Sequence, residues 1–305
     1  MIEENLNNGA IAVSHSIEYQ PTKFSELLDY AKIARAYQRP YFLHLRHSSF
    51  KEELLGVQEA IKLAKKSGAH IHIDHLNSTG GTFHMAEALE MIRVANRDKN
   101  VHITTCVYPY SYWATYLSSR RFEGDWQKRY GISYSDLTIV GSGEKLTYDS
   151  YLRYRKKSGV LVAVPEGTQP LKSTFDLAIQ EDFCHIGSDG GIERARRANN
   201  HPRGSGCFST TIRHMLDQDI PLEFILKKIT SKPTELLYPV LKKRGKIENG
   251  FYADLVIFDP NTIRGMSNPK NPNAMSKGIE MVFVNGQLSY ENKEFSAKNG
   301  VAVKR

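Results

Sequence analysis

Short apolar runs alternate with longer segments of helical periodicity along the first hundred residues. The predicted strands cover residues 11–13, 41–44, 70–75 and 101–107, and the predicted helices between them cover residues 24–38, 49–67 and 82–96. Strands that alternate with helices in this way pair in parallel, and each helix crosses over one face of the sheet. The pattern therefore predicts an α/β fold built on a parallel sheet.

The helix after the second predicted strand has sequence signals at both ends. Ser49 and Glu52 have the spacing of a capping box, in which a hydroxyl and a carboxylate bond the free N–H groups of a helix start. Gly68 suits the left-handed residue that commonly closes a helix. We expect the Ser49 capping box to open this helix and Gly68 to end it.

The alternation is interrupted between Tyr108 and Gly141. Aromatic residues crowd the start of this stretch, which directly follows a predicted strand. Enzymes of the α/β class place their substrate loops at such strand ends. The regular succession then resumes, with predicted strands at residues 160–163 and 183–187 and predicted helices at residues 144–157, 173–181, 208–217, 222–229 and 233–238.

The pattern of apolar residues changes again near residue 243. The predicted elements beyond it are strands at residues 253–258, 278–284 and 288–290 and a Pro- and Asn-rich loop at residues 261–276. Asn285-Gly286 is a strong signal for a two-residue hairpin turn. We predict two units, an α/β barrel portion over residues 1–243 and a small β portion over residues 244–305.

Composition and charge narrow the class of protein. The 305 residues are 40% apolar and 24% charged, as in a globular chain, and no apolar run approaches the roughly 18 residues that cross a bilayer. The net charge is +8, but the Lys and Arg residues are scattered and no nucleic-acid-binding motif accompanies them. We expect neither a membrane nor a nucleic acid as partner. The three cysteines show no CxxC spacing, and free thiols in a cytoplasmic protein are the simplest interpretation.

Three side chains capable of metal chemistry occupy comparable places in the pattern. His44, His75 and Asp189 each stand at or just beyond the carboxyl end of a predicted strand. In a barrel of parallel strands that edge is the catalytic rim. Imidazole nitrogens bind zinc, and a carboxylate beside zinc serves as a general base toward water. The three residues can therefore converge on one metal ion, although ordinary polar strand ends have the same pattern.

Five short motifs follow one another along the chain. They are His44-Leu45-Arg46, His75-Leu76-Asn77-Ser78, Tyr108-Pro109-Tyr110, Gly187-Ser188-Asp189-Gly190 and His201-Pro202-Arg203-Gly204. In this order, and with these separations, the chain resembles the N-acyl-D-amino-acid deacylase (D-aminoacylase) family of the amidohydrolase superfamily. The resemblance runs from about Gly9 almost to the end. It implies part of a TIM-type (β/α)8 barrel, with the N-terminal strands missing, followed by the small β domain of amidohydrolases.

The resemblance implies roles for individual residues. His44 and His75 match the two histidine ligands of a zinc ion. Asp189 matches the aspartate that takes a proton from the attacking water and passes it to the leaving amine. Arg203 matches an arginine that holds the substrate carboxylate, and Tyr108 matches a tyrosine that donates a hydrogen bond to the scissile carbonyl. The structural alternatives are surface pairing of Arg203, packing of Tyr108 and a turn role for Asp189.

Other residues of these motifs and strands have less defined roles. His201 belongs to the last of the five motifs, and a structural hydrogen bond accounts for it at least as well as chemistry does. His70 and His72 form an H-x-H pair early in their strand, away from the rim, and we interpret them as structural. The family has lysine at the position of Asn77 and commonly aspartate at the position of Cys106, so this chain departs from the pattern at both places.

The resemblance predicts a zinc-dependent hydrolase that releases a carboxylate and a D-amino acid from N-acyl-D-amino acids. The family's first-strand H-x-H motif and a following cysteine ligand have no match here, and two histidines are fewer than the three protein ligands usual for catalytic zinc. A separate N-terminal segment would then complete the site, or the chain is a non-catalytic fragment or subunit. A cyclic amidohydrolase of the hydantoinase or dihydroorotase type is a further alternative, although those families usually carry a carboxylated lysine.

Overall fold

The computed structural model describes residues 1–191 and 201–303. The helices are Ile2–Asn7 (α1), Phe24–Ala36 (α2), Glu53–Ser67 (α3), Met85–Ala95 (α4), Trp126–Tyr130 (α5), Tyr148–Arg155 (α6), Phe175–Ala178 (α7), Arg203–Leu216 (α8), Leu222–Ile229 (α9) and Ser231–Leu236 (α10). The strands are Val13–Ser16 (β1), Tyr41–His44 (β2), His70–Ile73 (β3), His102–Val107 (β4), Ala114–Tyr116 (β5), Thr138–Ile139 (β6), Leu161–Ala163 (β7), Cys184–Ile186 (β8), Leu255–Phe258 (β9), Ile279–Val284 (β10), Gln287–Glu291 (β11) and Glu294–Phe295 (β12). Within the described ranges, none of the helices is long and apolar enough to cross a membrane.

Five strands form one parallel sheet in the order β1-β2-β3-β4-β8. Every neighbouring pair in it is parallel, and the registers place Ser16 beside His44 and Leu43 beside Ile73. The carboxyl ends of the strands therefore lie along one edge. The helices α2, α3 and α4 connect the first four strands, as in a TIM-type barrel. The predicted fold class, a partial (β/α) barrel followed by a small β portion, is confirmed.

The two faces of the parallel sheet differ in polarity. Ile71 and Ile73 of β3 are fully buried in the main hydrophobic core, together with helix residues such as Leu63. His70 and His72 alternate with them, and successive side chains of a strand point to opposite faces. The apolar face therefore packs against the helices, and the polar face lines the interior of the partial barrel.

A separate three-stranded sheet interrupts the barrel succession. The sequence predicts a strand at residues 160–163 as part of that succession. The strand forms, as β7, but its predicted place in the barrel is wrong, because β7 pairs antiparallel with both β5 and β6. This sheet packs on its own aromatic core, which includes Trp113, Phe122 and Trp126. Periodicity did not reveal the pairing because a three-residue apolar strand suits either sheet.

A four-stranded antiparallel sheet, in the order β12-β11-β10-β9, occupies the C-terminal part. The predicted hairpin turn is confirmed, since Val284 pairs with Gln287 across it. Asn285 and Gly286 have φ angles of +52° and +79°, as a type I′ turn requires. The two-residue strand β12 is too short to carry an alternating pattern, and the sequence does not predict it.

The loop between β9 and β10 is fastened to the start of α8. Ser267 Oγ donates a hydrogen bond to the carbonyl oxygen of Pro202 at 2.6 Å. Ser205 Oγ donates to the carbonyl oxygen of Pro272 at 2.7 Å. Residues on the two sides of the predicted domain boundary therefore share a polar contact surface, and the boundary near residue 243 itself stays a prediction.

Helix α3 begins later than the capping-box spacing predicts. Ser49 Oγ donates to Glu52 Oε2 at 3.0 Å instead of capping the helix, and α3 begins at Glu53 with Glu52 as its N-cap residue. The predicted end at Gly68 is confirmed, with a φ angle of +64°. The predicted capping box is therefore wrong, because the Ser49 and Glu52 side chains bond each other in the turn before the helix.

Glu53 anchors the loop between β3 and α4. Its carboxylate is fully buried and accepts hydrogen bonds from the backbone N–H groups of Thr82, Phe83 and His84 at distances of 2.7–3.0 Å. The ring Nδ1 of His84 lies 2.9 Å from the same carboxylate. One acidic side chain therefore satisfies the polar backbone just before α4.

We predict that Glu53→Gln lowers the free energy of unfolding by about 2–3 kcal/mol, because the amide offers one acceptor oxygen to three backbone donors and turns an NH2 group toward one of them. Urea denaturation followed by circular dichroism measures the loss. Glu52→Gln, one residue earlier on the exposed surface, is the matched control and should leave the midpoint nearly unchanged. Equal midpoints for the two variants would contradict the anchoring role of Glu53.

Candidate active site

A cavity of about 700 Å³ opens at the carboxyl edge of the parallel sheet. Four of the predicted site residues line it, namely His44, His75, Asp189 and Arg203. The volume suits a small organic ligand. The structure therefore brings together residues that lie on β2, after β3, after β8 and at the start of α8.

The two predicted histidine ligands face each other. His44 Nδ1 and His75 Nε2 are 3.0 Å apart, and both residues are buried. Burial lowers the pKa of His44, although its hydrogen bond with Glu18 opposes the shift. Burial also lowers the pKa of His75 to about 3. Both imidazoles are therefore neutral at neutral pH, which is the form that binds metal ions.

Glu18, which is not among the predicted site residues, orients His44. Glu18 Oε2 lies 2.7 Å from His44 Nε2, so the neutral ring donates through Nε2 and directs the lone pair of Nδ1 toward His75. Glu18 stands two residues beyond the end of β1. The predicted strand ended at Val13, which placed Glu18 away from the rim. The correct strand end would have identified Glu18 by the argument that identified His44.

Arg121 balances the charge of Glu18 in the interior. Its Nε and Nη2 donate to Glu18 Oε2 at 2.9 and 2.6 Å, and Ser48 Oγ donates to Oε1 at 2.5 Å. Burial opposes ionisation of Glu18, but Arg121 and His44 outweigh it and hold the pKa of Glu18 at about 2. The guanidinium also lies over the Trp113 ring at 4.5 Å. No sequence signal identifies Arg121, because it belongs to the irregular stretch after β4.

Asp189 and Arg203 form an ion pair at the cavity wall. Arg203 Nη2 donates to Asp189 Oδ2 at 2.6 Å, and Arg203 Nε donates to the Asp189 carbonyl oxygen at 2.9 Å. Asp189 Oδ2 lies 3.5 Å from His75 Nε2. Partial burial opposes ionisation of Asp189, but the charge of Arg203 prevails and lowers its pKa. The site therefore presents an ionised carboxylate beside the histidine pair.

His75 and Asp189 share an unusual backbone conformation. Their φ angles are +32° and +43°, in the left-handed region that non-glycine residues rarely adopt. Such a conformation costs on the order of 1 kcal/mol and is typical of functional sites. The neighbouring Gly190 has no room for a side chain, since a Cβ there would lie 2.5 Å from the backbone nitrogen of Gly204.

Tyr108 does not line the cavity. Its side chain is fully buried, and the Arg203 guanidinium lies over its ring at 4.6 Å. Asn77, at the position of the family's lysine, is also fully buried and donates to the Tyr108 carbonyl oxygen at 3.1 Å. The role of Tyr108 as a donor to the substrate carbonyl stays a prediction. Asn77 holds the backbone after β4 in place.

His201, His70 and His72 each make a hydrogen bond within the protein. His201 lines the cavity, and its Nδ1 accepts the backbone N–H of Arg203 at 3.0 Å. A ring nitrogen of His70 and one of His72 each lie 2.8 Å from Thr104 Oγ1. The contact supports the structural interpretation of His70, and that of His72 stays a prediction.

We predict that Glu18→Gln lowers the free energy of unfolding by about 3 kcal/mol, because it leaves the buried Arg121 guanidinium without its counter-ion. Arg121→Met in the same chain should recover part of the loss, since it removes the unpaired charge. Chemical denaturation of the two single variants and the double variant measures the coupling. Losses that simply add in the double variant would argue against the ion pair.

Comparison with known proteins places the chain among enzymes of one family. The model of the amidohydrolase family matches residues 31–289. The chain is 25% identical to the D-aminoacylase of Alcaligenes xylosoxydans xylosoxydans, over 99% of this chain and 63% of that protein. It is 24% identical to the N-acyl-D-glutamate deacylase of the same organism, over 100% of this chain and 63% of that protein. The chain therefore spans less than two thirds of the length of these relatives.

A solved structure agrees with this assignment at the level of the fold. The N-acyl-D-glutamate deacylase from Bordetella bronchiseptica, complexed with zinc and a phosphonate inhibitor, matches with a TM-score of 0.81 and 22% identity, over 100% of this chain and 65% of that one. The partial barrel and the small β portion thus have a counterpart of known structure. Because the family model spans most of the chain, and the fold agrees with it, this chain belongs to the amidohydrolase family.

Proposed function

We propose that the protein is a zinc-dependent hydrolase that cleaves the amide bond of N-acyl-D-amino acids and releases a carboxylate and a D-amino acid. The observation that carries the proposal is the convergence of His44, His75, Asp189 and Arg203 on one cavity. The relatives named D-aminoacylase and N-acyl-D-glutamate deacylase support the substrate class. The cavity offers a neutral imidazole pair, an ionised carboxylate and a guanidinium, which are the groups that this reaction needs.

The imidazole pair fits a zinc ion. Glu18 bonds Nε2 of His44, and Nδ1 of His75 is buried with no hydrogen-bond partner among the described residues. The other two nitrogens, His44 Nδ1 and His75 Nε2, therefore face the same space and would hold the ion. Zinc bound there would polarise the substrate carbonyl and make water more acidic.

Asp189 is the proposed general base and acid. Its carboxylate is ionised and lies next to His75 at the cavity wall. It can therefore accept a proton from the attacking water and return that proton to the nitrogen of the leaving amine. This exchange conserves the proton and regenerates the carboxylate for the next turnover.

Arg203 is the proposed anchor for the substrate carboxylate. A guanidinium presents a planar fork of N–H donors that matches a carboxylate, and Arg203 already binds one carboxylate, that of Asp189. A substrate carboxylate would compete with Asp189 for the same donors, and its binding would release Asp189 for proton transfer. We retain Tyr108 as the proposed donor to the scissile carbonyl, which requires its buried hydroxyl to become accessible from the cavity.

Asp189→Asn should slow amine release from an N-acetyl-D-amino acid by about 100- to 10,000-fold, because the amide cannot accept the proton. The assay uses the 305-residue chain with added zinc, and the N-acetyl-L enantiomer is the substrate control. Amine release at the same rate from the Asp189→Asn variant would contradict the proposed chemistry.

Arg203→Met should raise KM for the same substrate by about 10- to 100-fold, through loss of a charge-assisted hydrogen-bond pair. Arg203→Lys is the matched control. It keeps the positive charge but loses the planar fork of donors, so its KM should lie between that of the wild type and that of Arg203→Met. For an N-acetyl amine without a carboxylate, the KM should change far less between the wild type and Arg203→Met, although loss of the ion pair with Asp189 alters kcat for both substrates. The same KM change for both substrates would show that Arg203 does not recognise the carboxylate.

A non-catalytic role is the second candidate, because His44 and His75 are two ligands, whereas catalytic zinc usually has three protein ligands. The chain would then bind a small molecule without turnover, and a separate N-terminal segment would be its partner in catalysis. Calorimetric titration with N-acetyl-D-amino acid beside the amine-release assay separates binding from turnover.

The three unpaired, buried cysteines support the proposed cytoplasmic location.

The cyclic-amide alternative has less support. Hydantoinases and dihydroorotases usually carry a carboxylated lysine, and no lysine lines the cavity within the described part of the chain. Hydrolysis of a hydantoin, measured beside that of the N-acyl-D-amino acid, compares the two substrate classes directly.

A further inference from the structure

Three side chains with metal-binding groups cluster on the polar inner face of the parallel sheet, outside the proposed hydrolytic machinery. His72 lies on β3, Asp74 follows β3, and Cys106 lies on β4. Their ligand atoms all lie within 4.8 Å of one another. Because His72 pairs in register with Thr104 of β4, the sheet itself holds the cluster together.

Neighbouring backbone atoms define the position of the Cys106 sulfur atom. Cys106 Sγ accepts the backbone N–H of His75 at 3.2 Å. A Cβ at Gly187 would lie only 2.8 Å from this sulfur. The glycine on the neighbouring chain segment therefore leaves the space that the thiol occupies.

The imidazole of the cluster is also held in place. His72 Nδ1 lies 2.8 Å from Thr104 Oγ1, and this contact orients the ring and leaves Nε2 available to an ion. His72 and Cys106 are both buried. Two of the three ligand groups are therefore positioned before any ion binds.

A fourth polar side chain beside the cluster lacks partners. His185 of β8 pairs in register with Cys106, and its ring stacks on that of His72 with the centroids 5.9 Å apart. Only 5% of His185 is exposed, and neither ring nitrogen has a hydrogen-bond partner among the described residues. Burying such polar atoms without partners costs free energy. A bound ion with its water would supply a partner.

We propose that His72, Asp74 and Cys106 bind a divalent ion of the zinc class, separate from the ion proposed for His44 and His75. Zinc and cobalt accept imidazole, carboxylate and thiolate ligands together. The thiol and the carboxyl group lose their protons on binding, and their two negative charges then cancel the charge of the ion. Asp74 also lines the cavity, which gives the ion a path to the site.

Titration of the 305-residue chain with cobalt(II) tests the proposal. Cobalt bound to a thiolate has a charge-transfer band in the near ultraviolet, and cobalt bound by nitrogen and oxygen alone does not. We expect the band in the wild type and its loss in Cys106→Ser, with one fewer ion bound per chain. Cys184→Ser is the matched control and should keep the band, since Cys184 is buried in the hydrophobic core of the neighbouring strand.

Two further variants separate this site from the proposed active site. The double variant His44→Asn, His75→Asn should lose the other ion and keep the band, so the two proposals fail independently. Asp74→Asn should keep the band and weaken cobalt binding about tenfold or more. A wild-type chain that binds cobalt without the band, or no cobalt at all, would overturn the proposal whatever the variants do. A band that survives Cys106→Ser would overturn it as well.

Discussion

The buried ion pair between Glu18 and Arg121 is the contact on which the cavity depends. The carboxylate follows β1, and the guanidinium comes from the irregular stretch after β4, so this pair ties the edge of the parallel sheet to the region of the three-stranded sheet and its aromatic core. The same carboxylate determines which nitrogen of His44 faces the cavity. Neither charge is stable alone in such a place, because desolvation of an unpaired ion costs several kcal/mol. The orientation of His44, a candidate metal ligand, thus depends on the ion pair that Arg121 forms with Glu18.

Two ion pairs flank the neutral histidine pair. Glu18 with Arg121 lies on one side, and Asp189 with Arg203 lies on the other. These four charges sum to zero, and both imidazoles are uncharged. A divalent cation added between them would leave the cavity positive, which favours an anionic ligand such as an N-acyl amino acid. The electrostatic balance of the site thus agrees with the proposed substrate class.

Some local signals in the sequence were sufficient, such as Gly68 at the end of α3 and the hairpin turn at Asn285-Gly286, but the capping-box spacing at Ser49 was not. The sequence placed His44 and His75 at the rim, where the cavity lies, because a strand end and a metal-binding group coincide in a few residues. Glu18 was missed when β1 was predicted to end at Val13, and Arg121 was missed because its partner lies 103 residues away along the chain. The predicted start of α8 was also late, since glycines near Arg203 weaken the helical pattern while tertiary contacts still keep the turn helical. Side-chain contacts across long separations leave no periodic signal.

The hydrogen bond that holds the start of α8 limits how Arg203 can move. Arg203 is the first residue of that helix, and Ser267, from the loop between β9 and β10, bonds the carbonyl oxygen of Pro202 immediately before it. An arginine that exchanges one carboxylate for another has to shift its backbone or swing its side chain. The hydrogen bond from Ser267 restrains a shift of the backbone at Pro202. The C-terminal β portion therefore braces the start of α8, and rotation of the Arg203 side chain is the easier motion.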